Sequence, residues 1–292
     1  MKKKKGSFTN VLLALILIAG LSLLVYPSFS DYWNSMQQTR AIATYQEGVS
    51  VLNEEDYSRF WSEAIAYNRT LPQKDNQYAM GEEAVALYES LLNVAGNGVM
   101  GSIEIPSIGC NMPIYHGVSE SVLQVAIGHL DWTSLPTGGE STHSVFSGHR
   151  GLPSARLFTD LDQLQAGDIF MLHVLDETLT YEVDQILIVL PHETKDLLIE
   201  EGKDLCTLVT CTPYGVNSHR MLVRGHRVEN ASQTVTVTHR VTADALRMEP
   251  LAVAIVLFLP ILLVLLLISS LVEKLLRTTE KNISGRKYHE DT

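Results

Sequence analysis

The chain has 292 residues, a net charge of −11 and 46% hydrophobic residues. That length accommodates one or two domains. The acidic balance excludes nucleic acid as a partner, because phosphate binding needs clustered cations.

Taken in chain order, Lys2, Lys3, Lys4 and Lys5 form a basic N-terminus, residues 1–10, ahead of an almost wholly aliphatic run over residues 11–26. A membrane span needs roughly 20 apolar residues, which residues 27–29 supply, so 11–29 reads as an anchor. A cleaved signal peptide, cut near Ser28-Phe29-Ser30, is the competing reading. Residues 251–272 form a second apolar run with no charge in 22 positions. A second transmembrane helix is therefore expected over 250–272, with a cytoplasmic tail at 273–292. Lysines and arginines flank the outer ends of both runs, so both termini are expected in the cytoplasm and the middle outside. Residues 31–247 hold 13 Lys and Arg against 28 Asp and Glu, a net of −15, which suits a lysine-bearing partner as well as simple solubility.

Residues 31–71 read as helical. Ile42, Tyr45, Val49 and Leu52 recur at three- and four-residue steps, Asn53 is a break, and Pro72 ends the region. A short helix is expected within residues 80–94. Gly96-Asn97-Gly98 then marks a change of class. Beyond it, residues 101–105, 112–115, 144–147, 168–175, 179–190, 205–211 and 221–228 have strand character, punctuated by Gly, Pro, Asn and Asp. Seven or eight short strands in so short a stretch predict one mainly β domain, a barrel or sandwich, over residues 98–230. A helical region at 30–97 precedes it, and a polar, Thr-rich linker at 231–249 follows.

The chemistry gathers at residues 207–225, TLVTCTPYGVNSHRMLVRG. Cys211 closes one apolar run and Arg220 opens the next. If the runs pair as a hairpin, the two residues face each other, because both are equidistant from the gap between Gly215 and Val216. Opposed side chains lie about 5 Å apart at Cβ. A sulfur nucleophile beside a permanent cation suits acyl transfer. Cys206 lies five residues before Cys211, so the two point to opposite faces of one strand and make poor disulfide partners. Neither they nor Cys110 match a zinc-ligand spacing. An odd count of three leaves at least one thiol free, and Cys211 is read as the working one.

A thiol with a reference pKa of about 8.5 needs a base or a positive neighbour. Of ten histidines, His149 stands out, delivered by an apolar strand to the glycine-flanked turn Ser147-Gly148-His149-Arg150-Gly151. His129, His143 and His219 read as structural or surface groups. Thr210, Ser147 and Arg224 are candidate substrate contacts, with support of the nucleophile, a supporting strand position and a solvated rim charge as their plainer roles.

Residues 147–161, SGHRGLPSARLFTDL, together with residues 207–225, resemble the histidine and cysteine–arginine motifs of the class C, pilus-assembling sortases. Residues 128–143, GHLDWTSLPTGGESTH, resemble the segment preceding the histidine in that family. The resemblance implies a closed eight-stranded sortase-type β-barrel with N-terminal helices and two flanking transmembrane helices. It makes Cys211 the nucleophile, His149 the general acid–base and Arg220 the oxyanion or carbonyl ligand, with no metal or organic cofactor. It also implies cleavage of LPXTG-like sorting signals on pilin or surface proteins, resolved by a lysine amine or by a cell-wall peptide amine. A non-catalytic, membrane-tethered binding module is the alternative from another functional class. The sequence departs from the family at residues 72–83, PQKDNQYAMGEE, which lack the Asp-Pro-aromatic motif of the class C lid.

Overall fold

The computed structural model describes residues 5–71, 81–152 and 154–230. The expected second span, the linker and most of the lid-equivalent stretch lie outside the described residues. Residues 1–29 belong to a different unit from residues 30–240, and each is taken by itself.

In the first unit, the apolar run lies in helix α1, Lys5–Ser50, with Pro27 inside it. From Leu15 this helix is long and apolar enough to cross a membrane, and none of the residues in its apolar 18-residue stretch is buried in the protein. Of the two expected spans, it is the one within the described residues.

The second unit holds the rest. Helix α2, Glu54–Thr70, begins where the sequence breaks at Asn53, whose side chain accepts the Asp56 N–H at 2.8 Å. That capping bond satisfies one orphan donor of the first turn, and Glu54, Glu55 and Asp56 complement the helix dipole. Helix α3 spans Glu82–Ser90. The strands that follow are β1 Val99–Ile105, β2 Cys110–His116, β3 Ile127–His129 and β4 Thr142–Ser147. The remainder are β5 Ile169–Val174, β6 Glu177–Val189, β7 Asp204–Thr212 and β8 His219–Val228. They close into one barrel in the order β1-β2-β3-β4-β7-β8-β6-β5. The pairs β2–β3 and β4–β7 are parallel and the others antiparallel. Closure leaves no open sheet edge along most of the ladder.

The barrel interior is filled by Ile103, Ile114, Ile127, Phe146, Phe170, Leu172, Cys206, Leu208 and Val223, all fully buried. Helices α2 and α3 extend this core with Ala64, Tyr67 and Tyr88. Polar ties fix the helices to the barrel. Tyr45 donates to the Met100 carbonyl at 3.0 Å and accepts the Leu175 N–H at 2.9 Å. Asn68 donates to the Leu135 carbonyl at 2.9 Å and accepts its N–H at 2.8 Å. Tyr88 meets His129 Nδ1 at 2.9 Å, and its hydroxyl also accepts the Gly117 N–H at 2.9 Å.

Burial controls the histidines of this scaffold. His129 is wholly enclosed, and desolvation holds its pKa down at about 3, against the opposing effect of its hydrogen bond to the Ser134 carbonyl. His116 and His143 are lowered by the same cause. The unfolded chain protonates these side chains near 6.5, whereas the folded chain keeps them neutral. Stability contributed by neutral burial is therefore intact above about 6.5 and is lost as pH falls below it. The loss runs at up to about 1.4 kcal/mol per pH unit for each histidine, until the folded pKa is reached. The thermal unfolding midpoint is expected to drop steadily between pH 7 and pH 4. A flat midpoint over that window would contradict neutral burial.

Candidate active site

Strand β7 carries the site. Its residues alternate between the barrel interior, reached by Cys206 and Leu208, and the outer face. Cys211 lies on the outer face near the strand's end and is half-buried. On one side, β8 pairs antiparallel with β7 and sets Arg220 directly opposite Cys211. Val189 of β6 lies opposite Arg220 in turn. On the other side, β4 runs parallel to β7 with Ser147 opposite Val209. The contact continues past the strand end. The Gly148 N–H donates to the Val209 carbonyl at 3.1 Å, and Thr210 Oγ1 donates to the Gly148 carbonyl at 2.8 Å. β4 ends at Ser147, and these two Gly148 bonds hold the turn that carries His149 against the end of β7, where Cys211 lies. Neighbouring strands lie about 4.8 Å apart, so Cys211 and Arg220 form a cross-strand pair with Val189 beyond, and the His149 turn is bonded to the cysteine strand on its other side.

Local packing fixes the turn that holds His149. Gly148 sits where an added Cβ would come within 2.7 Å of Ile127 Cδ1 and Phe158 Cδ2. Only glycine permits that approach. The His149 carbonyl accepts the Phe158 N–H at 3.1 Å. Thr210 is 1% exposed and donates its hydroxyl proton to the Gly148 carbonyl, which links the cysteine strand to the histidine turn. Ser147 lies one step back along the same strand pair.

The two arginines of β8 differ in electrostatics. Arg224 is held by both oxygens of Asp184, at 3.0 Å each, and by Glu200 at 3.1 Å. Those carboxylates raise its pKa further, Asp184 contributing most. Arg220 Nη1 donates only to the main-chain carbonyls of His219 at 3.1 Å and Asn217 at 3.3 Å. Among the described residues no carboxylate pairs with Arg220, so its charge remains available to a bound group.

The three cysteines are all free. Burial pushes the Cys110 thiol up to about 12, with Asp160 adding to the effect, and pushes Cys206 well above its ordinary value. Cys211 is the one of the three that is not buried, and the thiolate is the nucleophilic form. Next to the row, the outer face is apolar. Val145, Val209, Leu197 and Leu222 are buried together, with Leu130, Trp132, Leu187 and Val189 partly buried against them. Val209, Leu222 and Leu187 form the matching row two residues from Cys211, Arg220 and Val189. No group of three or more His, Cys, Asp or Glu among the described residues could hold a metal.

His129 and His143 are structural in placement. His129 Nε2 meets the Ser134 carbonyl at 2.8 Å. His143 lies between the Leu198 carbonyl and Thr207 Oγ1, at 2.8 and 2.7 Å. His219 contacts the adjacent Ser218 hydroxyl at 2.9 Å. Sequence reasoning passed over Arg150, Asp162 and Tyr214, which gather beside the His149 turn. The one available signal was the position of Arg150 inside the glycine-flanked motif.

Comparison with known proteins bears on this geometry. The protein-family model described as Sortase domain matches residues 103–228. The chain is similar to the crystal structure of sortase C1 from Streptococcus agalactiae, at 52% identity and a TM-score of 0.64, covering 65% of this chain and 99% of that one. It is also similar to Streptococcus pneumoniae sortase C, a structure described in terms of catalysis and pilin substrate specificity. That match has 42% identity and a TM-score of 0.57, covering 65% of this chain and 97% of that one. Sortase A of Bacillus anthracis is 24% identical over 224 residues, 77% of this chain and 96% of the relative.

Proposed function

This chain belongs to the class C branch of the sortases, a family of cysteine transpeptidases, and on that premise we propose that it joins pilin-like surface proteins through isopeptide bonds. Its substrate in this reading is an LPXTG-like sorting signal. The Cys211 thiolate attacks the threonine carbonyl carbon, and Arg220 stabilises the oxyanion that forms. His149 gives its proton to the departing glycine amine, leaving a thioester on Cys211. A lysine amine of a second pilin subunit then attacks the thioester carbon. His149 recovers a proton from that amine, and the thiolate leaves. Neither step needs a metal or an organic cofactor.

The observation that carries this reading is the cross-strand pair of Cys211 and Arg220, whose guanidinium has no carboxylate partner among the described residues, with the His149 turn bonded to the cysteine strand. The partly exposed Leu130, Trp132, Leu187 and Val189 beside it suit the leucine and proline of the signal. Ser147 borders that face as a substrate contact. Arg224 belongs to the rim, where its ion pairs keep the loop bearing Glu200 against β8. The apolar stretch of α1 supports anchoring of the chain, with the catalytic domain outside the cell and both termini inside.

Incubation of the full-length protein with a pilin bearing the signal, followed by mass spectrometry of the products, tests the proposal. A threonine carboxyl joined to a lysine Nζ is expected. A product carrying only cell-wall peptide would replace polymerisation by wall anchoring, and free threonine acid alone would reduce the activity to hydrolysis.

A further inference from the structure

The turn bearing His149 is joined to the connection that follows Cys211 by contacts at the next two residues. Arg150 has a side chain only 9% exposed and makes an ion pair with Asp162, in the 3-10 turn Leu161–Gln163. Its Cζ lies over the Tyr214 ring, 5.9 Å from the centroid. Its Nε is buried and has no hydrogen-bond partner among the described residues. Asp162 and the Tyr214 ring are therefore what orient this group. Gly151 completes the contact. Its φ is +75°, and an added Cβ would lie 2.7 Å from Tyr214 Cε2. Tyr214 is itself 62% exposed and reaches back across the surface to meet both residues.

Tyr214 lies three residues after Cys211, and Arg150 lies one after His149. The main chain on the other side of His149 is already fixed, since Gly148 is bonded to β7 through both its N–H and its carbonyl. Among the described residues nothing hydrogen-bonds the His149 ring. The imidazole's position relative to the thiol is thus set by its neighbours in the chain and by whatever holds the two loops together. Resting on the acyl-transfer reading above, we propose that Arg150 is a positioning residue, clamped between Asp162 and the Tyr214 ring, which fixes the spacing between His149 and Cys211. A planar cation serves this purpose because it pairs at its edge and stacks on its face at the same time.

The test is steady-state cleavage of an LPXTG-type peptide by the full-length protein. Arg150→Ala and Tyr214→Ala should each lower kcat by about 10²-fold, the order of loss for a displacement near 1 Å. KM should stay within about twofold, because peptide binding is not what the clamp provides. Tyr214→Phe keeps the ring and should retain kcat. Arg150→Lys keeps the pairing with Asp162 but not the stacking, and should recover part of the loss. The double alanine variant should be no slower than the slower single variant, since the two side chains act as one unit. Losses that multiply in the double variant would overturn the clamp. An effect confined to KM would make Tyr214 a substrate contact instead. Tyr214 is exposed, so its variants remain informative even where Arg150→Ala fails to fold. Cys211→Ala run in parallel separates the two levels of inference. Turnover by that variant would remove the acyl-transfer reading, whereas an inactive Cys211→Ala beside an unimpaired Tyr214→Ala would remove the clamp alone.

Discussion

Replacing Cys211 with alanine is expected to abolish cleavage of an LPXTG-type peptide, by at least about 10³-fold, because a nucleophile acting in concert with a base leaves little residual catalysis when removed. The other two thiols cannot substitute. Cys110 and Cys206 are buried in the barrel core, and burial raises both pKa values away from the thiolate. Their joint replacement by alanine and serine should therefore leave kcat unchanged in any variant that folds. The complementary measurement is the intermediate. Mass spectrometry of the wild-type protein quenched in acid during turnover should show an acyl group on the peptide containing Cys211. Peptide cleavage by Cys211→Ala, or an acyl group found on either buried cysteine, would remove Cys211 as the nucleophile.

What could be read from the sequence, and what could not, follows from how local each feature is. The pairing of Cys211 with Arg220 depends only on the midpoint of one hairpin, and the register bears it out residue for residue. Strand β6 and the break at Asn53 were equally legible, because alternation and a capping residue act within a few positions. Strand β3, Ile127–His129, was not anticipated, since three residues are too short to show any period. The approach of the His149 turn to Cys211 depends on β4 and β7 lying parallel, a pairing between segments 62 residues apart. Parallel neighbours leave no turn signature in the sequence.

The same non-locality separates the two arginines of β8. Arg220 and Arg224 are in phase along one strand and look equivalent in the sequence. What distinguishes them is contributed from elsewhere. Asp184 in β6 and Glu200 in the connection before β7 neutralise Arg224 and do not reach Arg220. The Arg150–Tyr214 contact is of the same kind, bringing together two loops whose residues carry no shared pattern.

This difference leads to the second large effect. Arg220→Lys is expected to lower kcat for the sorting-signal peptide by about 10²- to 10³-fold, the loss typical of removing one oxyanion donor. Lysine preserves the charge, so a residue that acted only through its charge would tolerate the change. Arg220 already commits Nη1 to the carbonyls of His219 and Asn217. That commitment leaves Nε and Nη2 of a rigid fork without a protein partner among the described residues and able to donate to a bound group. An ammonium on a flexible stem cannot hold two main-chain carbonyls and a developing oxyanion in one fixed geometry. KM should change far less than kcat if the interaction strengthens only as the carbonyl becomes tetrahedral. Arg224→Lys supplies the contrast on the same strand. Its charge is already balanced by two carboxylates, so its main effect should be on stability rather than on kcat. Near-normal kcat in Arg220→Lys would show that charge alone suffices at that position, and equal losses in kcat for both variants would undo the distinction between a free and a neutralised guanidinium.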